Sequence, residues 1–437
     1  MEWQLVLLVV LGVLIVLMLT GMPVAFSFLL IGIIGAFIFF GGEVGMRMLA
    51  TSIRDSVADF ILIPVVLFVL MGEVMFQSRM AGDLIHTVGL WIGRLPGRLS
   101  LLATGSGAVL AFLTGVSMAS TAILGELLVP QMEEQGYKKP MTLGPILGAG
   151  GLAIMIPPSG LAVLAGALAE ESIGRILVGI IVPGLLMAAL YTAYIIIRCW
   201  LQPDLAPTYQ VPSVPFKEKM VASVKYILPL GGIVFLVTGV IIMGIATPSE
   251  AAATGALGMF GLVALYGRLN WKMLKKSLSG TVEVSIMLLM IIATSTLFSQ
   301  ILSISGAARG AVQFAMNLPL APILIIIAMQ LVVLILGMFI SVVPIMMITI
   351  PLFIPLIRVL GFDPVWFLII FLLNIEMATT TPPFGLGLFV MKGVAPKGTT
   401  IGDCYRAALP FLACDAIAMA LIMIYPGIAL WLPGVMR

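Results

Sequence analysis

Two pairs of adjacent prolines interrupt long apolar runs, Pro157-Pro158 within GAGGLAIMIPPSG and Pro382-Pro383 within NIEMATTTPPFGLG. Proline lacks an amide hydrogen and biases its predecessor away from helical geometry, so carbonyls upstream of each pair lose their helical partners. In lipid those groups must be met by protein, water or a cation. Two further apolar stretches break at small or polar residues, FLTGVSMASTA over 112–122 and GMFISVVPIMM over 337–347. They supply hydroxyls at Thr114, Ser117, Ser120, Thr121 and Ser341, and the second proline break adds Thr379, Thr380 and Thr381. Neutral oxygens of this kind, joined by carbonyls at half-helix C-terminal ends, suit a sodium ion, while the N-terminal ends beyond each break favour an anion. Any single Ser or Thr can equally hydrogen-bond across helices, so the expectation rests on the cluster.

Charged side chains inside apolar stretches are the other candidates, namely Glu73, Glu126, Glu283, Glu376 and Asp415. A charge at membrane depth is expensive and often functional. Glu126 and Glu376 lie close to the breaks, where they would assist a coupling ion, sit near an aqueous end or pair with an arginine. Enzyme chemistry has little to build on. Cys199, Cys404 and Cys414 share no metal-ligand spacing, and His86, the one histidine, has no ligating neighbour in sequence. No GxxxxGK[ST] phosphate loop occurs, so ATP-driven pumping is not expected. No cofactor is expected beyond Na+ as coupling ion.

The elements that must position these residues are membrane helices. Hydrophobic residues make up 61% of the 437-residue chain and charged residues 9%, with mean hydropathy +1.22. One soluble core cannot bury that much apolar surface, so membrane lipids must be the solvent. The net charge of +3 is spread over short loops, which excludes a nucleic-acid partner. Apolar runs of about 20 residues place full crossings near residues 3–20, 22–40, 60–77, 141–168, 174–198, 225–244, 249–266, 280–301, 363–392 and 405–430. The stretches near 100–130 and 320–357 read as re-entrant hairpins. With the N-terminus outside, the inside loops hold sixteen of the 22 basic residues and the outside six, as the positive-inside rule requires. Arg94 and Arg309 fall in amphipathic connecting segments before each hairpin, which read as interfacial arms.

Landmarks recur at an offset of about 225 residues: Pro23 with Pro248, Gly82 with Gly306, Ser117 with Ser341, and Pro157-Pro158 with Pro382-Pro383. Residues 1–200 are therefore expected to form a first repeat of about five crossings and one hairpin, and 223–437 a second, with 201–222 as linker. Five is odd, so the second copy lies inverted, the plan of secondary transporters whose site sits at the repeat interface. The fold expected is an all-α polytopic membrane protein with broken helices at both proline pairs.

Four segments carry a family resemblance along essentially the whole chain: LGPILGAGGLAIMIPPSG at 143–160, GIATPSEAAA at 244–253, GMFISVVPIMMITIPLFIPLIRVLGFDPVWF at 337–367 and TTTPPFGLGLFV at 379–390. In this order they resemble the large membrane subunit, the DctM or M subunit, of tripartite ATP-independent periplasmic (TRAP) transporters. The resemblance implies a sodium-driven symporter with elevator-type scaffold and transport domains. It implies a small four-helix membrane subunit (Q subunit) and a soluble periplasmic substrate-binding protein (P subunit) as partners, in a bacterial inner membrane. Both termini of this chain are expected on the periplasmic side.

Carried over residue by residue, the family's sodium sites would fall at Gly115, Ser117, Ile156 and Pro157, and at Ser341, Val343, Thr379 and Thr381. The sequence departs from many relatives in having Val116 and Met118 around Ser117, and Ser341 in place of an aspartate. The expected substrate is a small organic acid of the C4-dicarboxylate, sialic acid or sugar acid class. Its carboxylate is placed at the half-helix N-termini, near Ser117, Ser120 and Thr121 and near Ser159 and Gly160. Alternatives are a stand-alone sodium and anion symporter needing no binding protein and, from another class, a polytopic membrane enzyme, which lacks a catalytic set.

Overall fold

The computed structural model describes residues 3–58, 62–93, 95–114, 117–207 and 214–435. Regular structure among these residues is entirely helical. The first half of the chain forms α1 (Trp3–Leu19), α2 (Val24–Phe40), α3 (Glu43–Val57), α4 (Ile63–Gln77) and α5 (Met80–Ile92). It continues through α6 (Arg98–Thr114), α7 (Ser117–Glu134), α8 (Lys139–Met155), α9 (Gly160–Ala169), α10 (Ile173–Gly179) and α11 (Ile181–Leu201). In the second half, α12 (Phe216–Ala222) runs through a π turn into α13 (Leu228–Ile242) and is followed by α14 (Pro248–Leu265), α15 (Trp271–Ile304) and α16 (Ala307–Asn317). Then come α17 (Pro322–Gly337), α18 (Val342–Val359), α19 (Pro364–Thr380), α20 (Leu386–Val394), α21 (Ile401–Ile424) and α22 (Gly427–Val435).

Local chemistry sets many of these boundaries. Thr247 and Glu250 form a reciprocal capping box at the start of α14 with Pro248 in its first turn, and Thr400 with Asp403 does the same for α21. Asn270 caps α15 and Asp363 caps α19, each accepting a backbone N–H. Glycine in the left-handed region closes α2 at Gly41 and opens α16 at Gly306, conformations that a β-carbon disfavours.

Among the described residues five helical spans are long and apolar enough to cross a bilayer, or seven when each of two bent pairs counts as one, and four further apolar helices are shorter. The expected ten crossings are therefore not all single long helices, because prolines and glycines divide them. Residues 141–168 become α8 and α9, bent by 46°, and 363–392 become α19 and α20 with a break at 381–385. The last crossing, expected over 405–430, ends at Ile424 before Pro426, and α22 follows. The crossing expected at 280–301 extends back to Trp271, since α15 is one continuous helix of 34 residues. In the first half the corresponding path is split between amphipathic α3 and apolar α4.

Helices α6 to α9 begin at Arg98, Ser117, Lys139 and Gly160, and α17 to α20 begin at Pro322, Val342, Pro364 and Leu386, between 224 and 226 residues later. The hairpin arms α6 and α7 pack on α8, and α17 and α18 pack on α19. Helix α8 is buried from Met141 to Met155 and α19 from Val365 to Thr380. A helix apolar all round must be enclosed by others, and this pair forms the centre of the molecule. Close approach to α21 depends on glycine: a β-carbon on Gly144 would stand 2.6 Å from the Ala407 carbonyl oxygen, and one on Gly148 would stand 2.6 Å from the Phe411 ring. Outer helices show the opposite pattern, with Leu8, Phe37, Phe235 and Leu265 exposed as lipid-facing surfaces require.

Candidate functional site

The second break is built by α17, α18, α19 and α20. A β-carbon on Gly337, at the end of α17, would be 2.2 Å from that of Ala378. Phe339 in the tip stacks obliquely on Phe384 just past the proline pair, with ring centroids 5.4 Å apart. Ser341 follows Phe339 by two residues, and Thr379 follows Ala378. Ser341 is the first residue before α18, and its side chain makes no cap hydrogen bond. Val343 lies in the first turn of that helix.

Hydroxyls on α19 turn back onto their own helix. Thr379 Oγ1 donates to the Glu376 carbonyl oxygen at 2.8 Å and approaches its carboxylate Oε1 at 3.4 Å, while Thr381 Oγ1 donates to Met377 O at 2.7 Å. Their lone pairs remain available to a further partner. A β-carbon on Gly385 would lie 2.5 Å from Thr379 O and 2.8 Å from Thr381 O, so both carbonyls crowd toward this glycine. Thr381 O accepts one N–H, from Gly385 at 3.1 Å. Tyr405 on α21 donates its hydroxyl to Pro383 O. Deeper in the membrane, Asn374 Nδ2 donates to Gln330 O at 2.6 Å and to Gln330 Oε1 at 2.8 Å, tying α19 to α17.

The first break has the same plan with different partners. Ile156, the first residue past α8, is extended, and Pro157-Pro158 follows as a cis pair, as does Pro382-Pro383 in the second half. Gly184 on α11 comes so close that a β-carbon there would be 2.2 Å from Met155 O. Ser159 caps α9, its hydroxyl oxygen accepting from the Ala162 amide at 3.3 Å, and Gly160 opens that helix with no atom within 4 Å of a β-carbon placed on it. Gly115 lies outside the described residues, and so does the side chain of Ser117, the first residue of α7. Ser120 and Thr121 follow in the first turns of α7 and are buried. Ser100 on α6 donates to Met141 O at 2.6 Å and holds the hairpin on α8.

Each hairpin also touches the other half. A β-carbon on Gly125 of α7 would be 2.5 Å from Val394 at the end of α20. Arg358, near the end of α18, donates to Ala169 O at 3.1 Å and to Glu171 at 2.9 Å, beside α9. The two broken helices are thus crossed by hairpins from both halves.

One group was only partly legible in the sequence. Glu376 and Asp415 were singled out as membrane-depth charges, but Tyr191 was not. All three are buried around one small cavity of about 10 Å³, and Tyr191 donates its hydroxyl to Asp415 Oδ1. Glu376 reaches this place because Gly151 leaves room, its Cγ standing 3.1 Å from a β-carbon position there. Glu126 lies elsewhere, on the wall of a larger cavity.

That larger cavity, of about 1080 Å³, separates α7 from the α4–α5 junction and the start of α15. A second, of about 450 Å³, separates α9 and α18 from the middle of α15, where Ser295, Thr296 and Ser299 line it. The molecule therefore has a buried core of broken helices and hairpins, with a cavity between each hairpin and α15.

Two hairpins and two broken helices at the centre of a helical membrane protein make an architecture of the kind that secondary transporters use. The solved YdaH transporter of Alcanivorax borkumensis has a similar fold, with a TM-score of 0.65 over 92% of this chain and 97% of that one, at 14% identity. The chain belongs to the family described as tripartite ATP-independent periplasmic transporter, DctM component, which matches residues 11–428. It is 30% identical over 392 residues to the C4-dicarboxylate TRAP transporter large permease protein DctM of Pseudomonas aeruginosa, covering 89% of this chain and 90% of that protein. It is 29% identical over 419 residues to the isethionate TRAP transporter permease protein DctMQ of Oleidesulfovibrio alaskensis, covering 95% of this chain and 64% of that one. The family read from the four sequence segments is thereby established. The chain is a multi-pass permease component of a bacterial three-part transporter and not an enzyme.

Proposed function

We propose that this chain performs sodium-coupled uptake of a small organic acid delivered by a periplasmic substrate-binding protein. The observation that carries the reading is the second break, where the carbonyls of Thr379 and Thr381 crowd toward Gly385 beside hydroxyls and the tip of α17–α18. A cluster of neutral oxygens at the C-terminal end of a half-helix suits a monovalent cation. The sodium ligands are Ser341, Val343, Thr379 and Thr381 at this break, with Gly115, Ser117, Ile156 and Pro157 at the other. The acid's carboxylate is held near Ser117, Ser120, Thr121, Ser159 and Gly160.

The matched starts of α6 to α9 and α17 to α20 support an inverted repeat with its halves at 1–200 and 223–437. Cavities on the α15 side of both hairpins support an elevator motion of the broken-helix core against a scaffold containing α15. The basic-residue distribution supports periplasmic termini and a bacterial inner-membrane location. Relatives named for a C4-dicarboxylate and for isethionate support an organic anion as solute. The fused name DctMQ of one relative supports a small Q subunit as partner, with the binding protein as third.

The test is uptake of labelled C4-dicarboxylates, sialic acid and sugar acids into proteoliposomes holding this chain and its small subunit. Uptake is expected only with an inward sodium gradient and the cognate binding protein. Uptake without the binding protein would instead establish a stand-alone symporter.

A further inference from the structure

The cavity beside α7 has a one-sided charge. Arg79, Arg268, Lys272 and Lys276 line it, against a single lining carboxylate, Glu126. Arg268 is already neutralised by Asp83 at 2.6 Å. Among the described residues no carboxylate lies within 4.0 Å of the other three basic groups, which are exposed to the cavity. Three cations without an ion-pair partner, set against the one carboxylate of Glu126, leave a space of about 1080 Å³ with a local excess of positive potential, focused by the low-dielectric helices around it.

The position of Arg79 is a second observation. It begins α5 in the left-handed region, with φ 59°. In the second half the residue that opens α16 is Gly306, with φ 76°. The second half thus uses the residue that takes this conformation freely, whereas the first half keeps a long cationic side chain there despite its steric cost. The arginine stands where the chain turns by 75° between α4 and α5, at the wall of the cavity.

We propose that Arg79, Lys272 and Lys276 form an anion-holding station between the α6–α7 hairpin and the aqueous phase, taking the carboxylate or sulfonate of a small organic acid on its way past the hairpin. The station rests on the organic-acid reading above and adds a solute contact outside the hairpin tips. Glu126, on α7, faces the same space and opposes anion entry at the hairpin side.

The test places a cysteine at Leu127, which is 41% exposed on the cavity wall. The three native cysteines are buried, so within this chain the added thiol reports alone. The chain with its partner subunits is labelled in nanodiscs with an anionic sulfonate and a cationic trimethylammonium thiosulfonate reagent. Relative to a free thiol, the anionic reagent is expected to gain about tenfold over the cationic one. Succinate at millimolar concentration is expected to slow the anionic labelling. Both effects are expected to vanish in R79Q/K272Q/K276Q and to persist in R79K/K272R/K276R. Equal reagent rates, a preference that survives the triple glutamine variant, or labelling indifferent to succinate would overturn the station. Reagent preference is read without sodium or uptake, so its loss would count against the station and leave the transport reading standing.

Discussion

Tyr191 and Asp415 share one buried hydrogen bond although 224 residues separate them in the chain. That separation falls within the 224–226 residues by which α17 to α20 follow α6 to α9, and the bond joins α11 to α21. Gly151 and Glu376, in contact within the same cavity, are likewise offset by 225. At this junction α8 and α11 supply a gap and a hydroxyl, and α19 and α21 supply two carboxyls.

Removing the hydroxyl leaves a buried acceptor without this donor. Tyr191→Phe is expected to destabilise the chain by about 1–3 kcal/mol, the cost of an unsatisfied buried polar group. Asp415→Asn keeps an acceptor for the Tyr191 hydroxyl and should lose less. Thermal unfolding of the purified complex in nanodiscs would check the order, and a Tyr191→Phe protein as stable as the parent would refute the importance of the bond.

Glycine at 144 is required by a backbone contact, which cannot yield as a side-chain tip can. Gly144→Ala would put a β-carbon 2.6 Å from Ala407 O and should separate α8 from α21, at a cost of about 1–3 kcal/mol. Gly393→Ala, on α20 with nothing within 4 Å, should be neutral. Comparing melting temperatures and yield of folded protein for the two variants decides the matter.

At the second break, Gly385→Ala would drive a β-carbon into Thr379 O and Thr381 O. If those carbonyls hold sodium, the sodium concentration for half-maximal uptake should rise by about tenfold, a loss of roughly 1.4 kcal/mol in ion binding. Gly393→Ala on the same half-helix serves as control. An unchanged sodium dependence in a folded Gly385→Ala protein would remove these carbonyls from the ion site.

Much of this architecture was legible because membrane helices declare themselves by apolarity and proline. The breaks at Pro157-Pro158 and Pro382-Pro383, and the hairpin interruption after Gly337, fall where the residues placed them. Helix lengths were less legible: α15 runs back to Trp271 because Asn270 caps it and nothing breaks the polar first turns, whereas an apolar count starts only near residue 280. Tyr191 escaped notice because its hydroxyl looks ordinary in an apolar helix. Only its hydrogen bond to Asp415 marks it, and a partner 224 residues away is not visible in the sequence. Gly385 was hidden for a related reason, since a glycine after a proline pair reads as a turn residue until the carbonyls packed on it are located.

The most direct test of sodium coupling is the sodium titration of initial uptake in proteoliposomes containing this chain, its small subunit and the loaded binding protein, for the parent and Thr381→Val. Coupling through the second break predicts uptake that saturates with sodium, and a half-saturation point raised by about tenfold in the variant. Uptake of equal rate in sodium and in choline, or a variant whose sodium curve overlays the parent, would contradict it.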